Sequence, residues 1–508
     1  MRSYHLRWLT AACAVVALAG GSLVGSATSA AAASPTISGF TPAIGPVGTP
    51  LTISGTGFTG ATAVQFGVVS ATFAVVSSTT INATLPNNAV TSTISVHTPS
   101  GTVVSRNKTF KVTPTVAGSS PAFGSVGTSV TINGSALTGA TKVTFNGVAA
   151  PLKTVSYSQI TTTVPAGAKT GFMSVTTHSG TGTSSGPFSI GTVYSVTSYG
   201  AVGNDTGDNT AAFAAAIAAA QAAGGGIVSV PAGTYLFVTG SPASIQIDGT
   251  VPITFAGAGR STTKLVEFTR RRDLLSVKCD GTIVEDLAFD TVTHSGGHGL
   301  GDGANNTSVE RIQINSGTLA FGIYYPGPPG ALPGNGLYSV GNVINDVILN
   351  DEIKSDGFSF SFQMNGAVSN VVHTGSRISL YGDSHVTVTN YQYTPGSFGA
   401  TAGWVISTPC DHITITNFVT SGQGGQINNA PTMARVNQSI TINGERMTGG
   451  PTFRMIIGDV QGLLIENSAL DAIMITPSLI AQGTVTSTTY TSVTNKPQKG
   501  ALDEVTFS

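Results

Sequence analysis

Residues 198–236 read SYGAVGNDTGDNTAAFAAAIAAAQAAGGGIVSVPAGTYL. A dense alanine run stands here in a chain otherwise rich in Thr, Ser, Gly and Val. Alanine is the strongest helix former, so AAFAAAIAAAQAA predicts one short helix. Asp208 or Thr210 is placed to cap its start. Phe213 and Ile217, four apart, share one face. Gly224 ends the helix, and IVSVPAG then opens a strand and a turn. A lone helix that hands over directly to strands decides how the rest of the chain is read.

The composition agrees with a β-rich chain. Of 508 residues, 40 % are apolar, enough for sizeable cores, and only 9 % are charged, against about a quarter in ordinary domains. The 64 glycines, with many Ser and Thr, favour turns and strands. The length calls for more than one domain. A net charge of −1 without a basic stripe argues against a nucleic-acid partner. The first residues, MRSYHLRWLTAACAVVALAGGSLVGSATSAAAAS, place Arg2 and Arg7 before an apolar run and a small-residue stretch. That is the pattern of a secretory signal peptide, cut near Ala30 to Ala33. The mature protein is therefore expected to be secreted and, without another long apolar segment, not to be held in a membrane.

The stretch PTISGFTPAIGPVGTPLTISGTGFTGATAVQF (35–66) returns as PTVAGSSPAFGSVGTSVTINGSALTGATKVTF (114–145). Pro35 matches Pro114, Gly60 matches Gly139 and Phe66 matches Phe145, at a constant offset. Short alternating strands broken by Gly and Pro turns predict a small β-sandwich in each copy. The shared pattern resembles the immunoglobulin-like modules called IPT or TIG. Such modules serve as spacers or binding units, and neither copy gathers titratable side chains, which favours the spacer.

The opening stretch resembles the entrance of a pectate-lyase-like right-handed parallel β-helix. Tyr199, Gly200, Gly203, Asp205, Asp208, Asn209, Thr210, Ile217, Pro231, Gly233 and Tyr235 stand at the positions of that superfamily's motif. The resemblance implies that the helix covers the open end of the barrel core. Downstream, a unit recurs as VEDLAF (284–289), VERIQI (309–314), INDVIL (344–349), VSNVVH (368–373), VTNYQY (388–393), ITNFVT (415–420) and IENSAL (465–470), with a weaker INGERM (442–447). One coil per unit suits these spacings. The third positions, Asp286, Arg311, Asp346, Asn370, Asn390, Asn417, Gly444 and Asn467, read as an asparagine ladder at a tight left-handed bend. They are structural, not catalytic. Cys279 and Cys410 remain after signal cleavage and lie about five coils apart. At one strand spacing per coil that is roughly 24 Å, against a Cα separation of about 7 Å at most for a disulfide. Both are expected to be free and buried.

Counting back thirteen residues from the ladder reaches His298, Gly357, Arg377, Trp404 and Arg454. Twelve back lie Gly299, Phe358, Ile378, Val405 and Met455, an apolar set expected to point inwards. Strand side chains alternate, so the first set is expected to face outwards as a column along one sheet, with Asp356 beside it. Arg377 and Arg454 suit sugar carboxylates or hydroxyls, Trp404 and Tyr324 suit sugar faces, and Asp or His can move protons. The column reads as a polysaccharide groove. A hydrolase needs two carboxyls across the bond, from Asp356 with Asp302, Asp351, Glu352 or Asp383. A lyase needs a base and a cation, from Arg377, Lys354 or His298, with Ca²⁺ held by Asp side chains as the one candidate cofactor. Polygalacturonases of the same superfamily carry motifs that Gly297-His298-Gly299 and Arg377-Ile378-Ser379 match only in part and out of order, so no role is carried over from them.

The chain is accordingly read as all-β: a signal peptide (1–33), two immunoglobulin-like sandwiches (34–112 and 113–192) and a right-handed parallel β-helix (193–508). The expected function is cleavage of an extracellular polysaccharide by a monomeric lyase or glycoside hydrolase. Asp356, Arg377, His298 and Asp302 are the catalytic candidates, and Trp404, Arg454 and Tyr324 the binding ones. The alternative is a non-catalytic glycan-binding or structural surface protein.

Overall fold

The computed structural model describes residues 34–508, except 239–242, 268–272, 292–297, 317–320, 330, 332–336, 352–355, 397–401, 408, 423, 430–435, 448–454, 491 and 499–500. The expected leader (1–33), Glu352, Lys354 and Arg454 lie outside the described residues, as do the side chains of Asp351 and Asp356. The chain divides into two compact units, Met1–Lys111 and Val112–Ser508.

The first unit is a sandwich. One sheet has four strands, among them Pro50–Thr56 and Thr80–Thr84, and the other has five, among them Ala63–Phe66 and Ser92–Thr98. Alternation along Pro50–Thr56 sends Leu51 and Ile53 inwards. Phe66 meets Phe110 edge-on at 5.6 Å in the core. In the second unit the repeated sequence builds a second sandwich, where Phe145 and Phe188 pack edge-on at 5.0 Å.

From Val193 onward the strand pairings among the described residues are parallel, in a nineteen-stranded sheet, an eleven-stranded sheet and a two-stranded one of Ser339–Val340 with Gln363–Met364. The helix, Thr210–Ala222, lies over the first coils and buries Ala212, Phe213, Ala216, Ile217 and Ala220. Phe213 meets Tyr235 and Phe237 edge-on, at 5.4 and 4.9 Å. Asn209 is the residue before the first turn. Its own side chain serves the coils instead, accepting from Val202 N–H at 2.7 Å and donating to Leu236 O at 3.1 Å. The Asp208 carboxylate accepts from Thr210 N–H at 3.2 Å. Gly224, Gly225 and Gly226 have φ of 87°, 112° and 147°. Three successive left-handed residues turn the chain sharply from helix to strand, at little cost only for glycine.

The ladder is present. Asp286, Arg311, Asp346, Asn370, Asn390, Asn417 and Asn467 all have φ between 50° and 60°, with Gly444 at 74°. Asn390 donates to Asn370 Oδ1 at 3.0 Å and Asn417 to Asn390 Oδ1 at 3.1 Å. At its upstream end the ladder is ionic. Arg311 donates to Asp286 at 2.9 and 3.0 Å, to Glu310 at 2.9 Å and to Glu285 at 2.6 Å. Glu285 is fully buried and also accepts from Ser189 of the second sandwich at 2.9 Å. Burial pushes its carboxyl up to about 7, against the pull of Arg311. A second left-handed column, absent from the sequence reading, runs through Gly281, Asn306, Gly341, Asn365, His385, His412, Ser439 and Gly462. Cys279 and Cys410 are free and buried.

Candidate functional site

Register along the eleven-stranded sheet sorts inner from outer residues. Leu275, Leu300, Ile323, Phe358 and Ile378 pair in succession and are buried. Their neighbours Ser276, Gly301, Tyr324, Ser359 and Ser379 therefore form the outer row. His298 lies two residues before the inward Leu300, but at the start of its strand the ring departs from that alternation: its Nδ1 is 3.8 Å from the Cβ position of the outer-row Gly301, and it packs on Tyr324, ring centroids 4.5 Å apart and planes 33° from parallel. Asp273 stands one coil before. Its Oδ1 lies 2.7 Å from His298 Nδ1 and accepts the His298 backbone N–H at 3.0 Å. A Cβ at Gly301 would come within 2.5 Å of Asp273 Oδ2, so glycine leaves room for the pair. Burial, and then the negative charge of Asp273, push the Tyr324 phenol above its ordinary value. The site thus holds an oriented imidazole and a phenol that retains its proton, both reachable from solvent.

Asp273 closes the charged run TRRRD (269–273), which by sequence alone reads as a solvated turn and so hides it among the candidates. The count that found His298 also finds Asp273 when extended one coil: it lies as far before Asp286 as His298 lies before Arg311.

The other candidates are placed differently. Arg377 pairs with Asp356 in the same sheet. It stands three strands beyond His298, roughly 14 Å at one strand spacing each. The two cannot hold one small group together, and the outer-row serines near Arg377, Ser359 and Ser379, are buried. Trp404 is a correction. It pairs with Ile378, not Arg377, and is 0 % exposed. Tyr381 pairs with Ser407 and Ser384 with Asp411, so the turn after Ser407 is one residue longer than that after Tyr381. That extra residue shifts the count by one and reverses the side chain's direction. Trp404 lies over Gly425, where any Cβ would collide with the indole, and its Nε1–H donates to Glu445 Oε2 at 3.3 Å. Asp302 is also a correction: it is 1 % exposed and faces the interior, accepting from Thr307 Oγ1 at 2.6 Å and Ala304 N–H at 2.9 Å. Burial pushes it up to about 6. Asp383 is buried likewise, accepting from Gln363 N–H at 2.7 Å and Tyr381 N–H at 3.0 Å. Among the described residues no three His, Cys, Asp or Glu side chains gather as a metal site.

Comparison with known proteins agrees with the fold. Residues 35–112 and 114–190 each match the family model of the IPT/TIG domain. Residues 193–277 match the model described as rhamnogalacturonase A/epimerase, pectate lyase-like. The chain therefore joins two IPT/TIG domains to a pectate lyase-like β-helix. Among curated proteins, mannuronan C5-epimerase AlgE2 of Azotobacter vinelandii is 46 % identical over 77 residues, which is 15 % of this chain and 8 % of that protein. Mannuronan C5-epimerase AlgE6 of the same organism is 29 % identical over 218 residues, 39 % of this chain and 23 % of that protein. The chain thus spans under a quarter of the length of these relatives. Among solved structures, the A-module of Azotobacter vinelandii AlgE6 is 15 % identical with a TM-score of 0.41, covering 62 % of this chain and 99 % of that one.

Proposed function

We propose that the outer face of the eleven-stranded sheet is the active surface of a secreted enzyme that modifies an acidic polysaccharide. It exchanges the proton on a sugar carbon next to a carboxylate, with His298 taking a proton and Tyr324 giving one. The observation that carries this reading is the contact of His298 with both Asp273 and Tyr324 on an outer strand face. Asp273 orients the imidazole. Burial keeps the phenol protonated, and a positioned acid and base beside each other are what proton exchange needs. Arg377, farther along the face, suits a carboxylate of a neighbouring sugar unit.

Removal of that proton opens two outcomes. Return of a proton to the opposite side of the carbon inverts it and cleaves nothing. Expulsion of the neighbouring glycosidic oxygen breaks the chain and leaves a double bond. The names of the relatives favour inversion over the cleavage expected from the sequence. Hydrolysis draws less support. It needs two carboxyls flanking the bond, and of the candidates whose side chains are described, Asp302 and Asp383, both are buried in the barrel.

The test is incubation with polymannuronate and other polyuronates in deuterated water, with and without chelator. Deuterium at the carbon beside the carboxylate, without new reducing ends, supports inversion. Reducing ends with the ultraviolet absorbance of an unsaturated product mean a lyase. Reducing ends alone mean a hydrolase and would refute the proton-exchange reading. Retention on a polysaccharide without any reaction would leave a binding protein. A chelator effect would assign Ca²⁺ a part.

A further inference from the structure

Two neighbouring members of the second left-handed column are histidines. His385 and His412 have φ of 53° and 52° and are exposed. They sit on consecutive coils, where His385 N–H donates to Asp411 O at 2.9 Å. Their rings lie face to face, centroids 4.4 Å apart and 7° from parallel. The left-handed backbone alone does not call for imidazoles: Asn365 and Ser439, the members on either side, have φ of 56° and 52°. Each Nδ1 has a polar neighbour, a hydrogen-bonded one at His385 and at His412 a close carboxylate that lacks hydrogen-bond alignment. That of His385 lies 2.9 Å from Ser384 Oγ, and that of His412 lies 2.7 Å from Asp411 Oδ1. With the proton on Nδ1, both Nε2 atoms keep their lone pairs. A ring nitrogen backed by a carboxylate or hydroxyl at the other nitrogen is the usual form of a metal-binding histidine.

We propose that His385 and His412 form a two-histidine site for a divalent transition-metal ion of the imidazole-preferring kind, with Asp411 and Ser384 orienting the rings and water completing the coordination. Metal–nitrogen distances near 2.0–2.1 Å place two ligand nitrogens about 3 Å apart. The rings therefore tilt together at their Nε2 edges by about 1 Å or more from the stacked arrangement, which exposed side chains can do. The parallel ladder beneath holds the two Cα atoms in register, so little ordering is left for binding to impose. Affinity follows the general order for nitrogen sites, copper above nickel and zinc. The site stands apart from His298 and does not depend on the proposed activity.

The test is titration of copper, nickel and zinc chlorides into the full-chain protein, followed by calorimetry, melting temperature and the electron paramagnetic resonance of bound copper. The expected result is a one-to-one copper complex, tightest of the three, with coupling to two nitrogens and a raised melting temperature. H385N and H412N keep a residue type that accepts the left-handed backbone, so both should melt like the parent without metal. Each should lose one coupled nitrogen and bind copper about tenfold or more weaker, and D411N should weaken it by about 10- to 100-fold. Copper affinity unchanged in both histidine variants, or a two-nitrogen signal persisting in either, would overturn the assignment.

Discussion

Glu445 gives the most quantitative test of the barrel interior. It is fully buried, and Trp404 Nε1–H is its side-chain donor. Among the described residues its Oε1 has no hydrogen-bond partner. Burial outweighs the Trp404 bond and the Gly425 backbone bond, and pushes the carboxyl from 4.5 up to about 8. The folded protein thus keeps a proton that the unfolded chain releases. The stability this neutral acid provides is complete below about pH 4.5, declines as pH rises and is lost above about pH 8. At 1.36 kcal/mol per unit, the full swing is about 5 kcal/mol. Glu445→Gln removes the titration and retains an oxygen to accept from Trp404. Urea unfolding of parent and variant between about pH 5 and about pH 9 should show the variant gaining on the parent by about 4 kcal/mol across the range, the rest of the swing lying below about pH 5. Glu285 and Asp302, pushed up to about 7 and about 6, add slopes of the same sign to both proteins and cancel in the difference. A parent-minus-variant difference that stays flat with pH would refute the reasoning.

Three further outcomes are expected. His298→Ala should lower turnover by about 10²- to 10⁴-fold, while Asp273→Asn should lower kcat with KM little changed, both read on the polyuronate substrate with the melting temperature retained. Arg311→Ala strands the buried Glu285 carboxylate without its cation and should cost about 3–5 kcal/mol at neutral pH, seen as an earlier urea transition; an unchanged midpoint would deny the cluster its structural part. Cys279 and Cys410 should resist a thiol reagent in the native protein and both react in denaturant without reductant, and labelling of neither would contradict their free state.

Regular local signals carried most of the fold in the sequence. The alanine run followed by three glycines encodes one helix and a left-handed exit, both short-range properties of the backbone. The ladder was legible at Asn370, Asn390 and Asn417 because each coil must turn sharply at one place, and a left-handed bend selects Asn, Asp or Gly wherever it falls. The spacing of Cys279 and Cys410 likewise excluded a disulfide from strand separation alone. The site was legible only in part. His298 and Arg377 were placed on one sheet by counting, whereas Tyr324 reads in sequence as part of an aromatic insertion beside that sheet and lies instead on one of its strands, Phe321–Tyr325. Asp273 was hidden in a charged run, and its meaning came only from the coil that carries His298 back beside it. Trp404 shows the limit of counting. One extra residue in a turn left the ladder intact but reversed the side chain, since a strand alternates faces at every residue. Asp302 and Glu445 look like ordinary carboxylates in sequence, and burial is what chiefly makes them weak acids, with the charge of Asp280 adding to it at Asp302. What the sequence determined was the repeat and the places where the backbone must bend. What only the tertiary structure decided was which face each side chain takes, because that depends on register between coils distant along the chain.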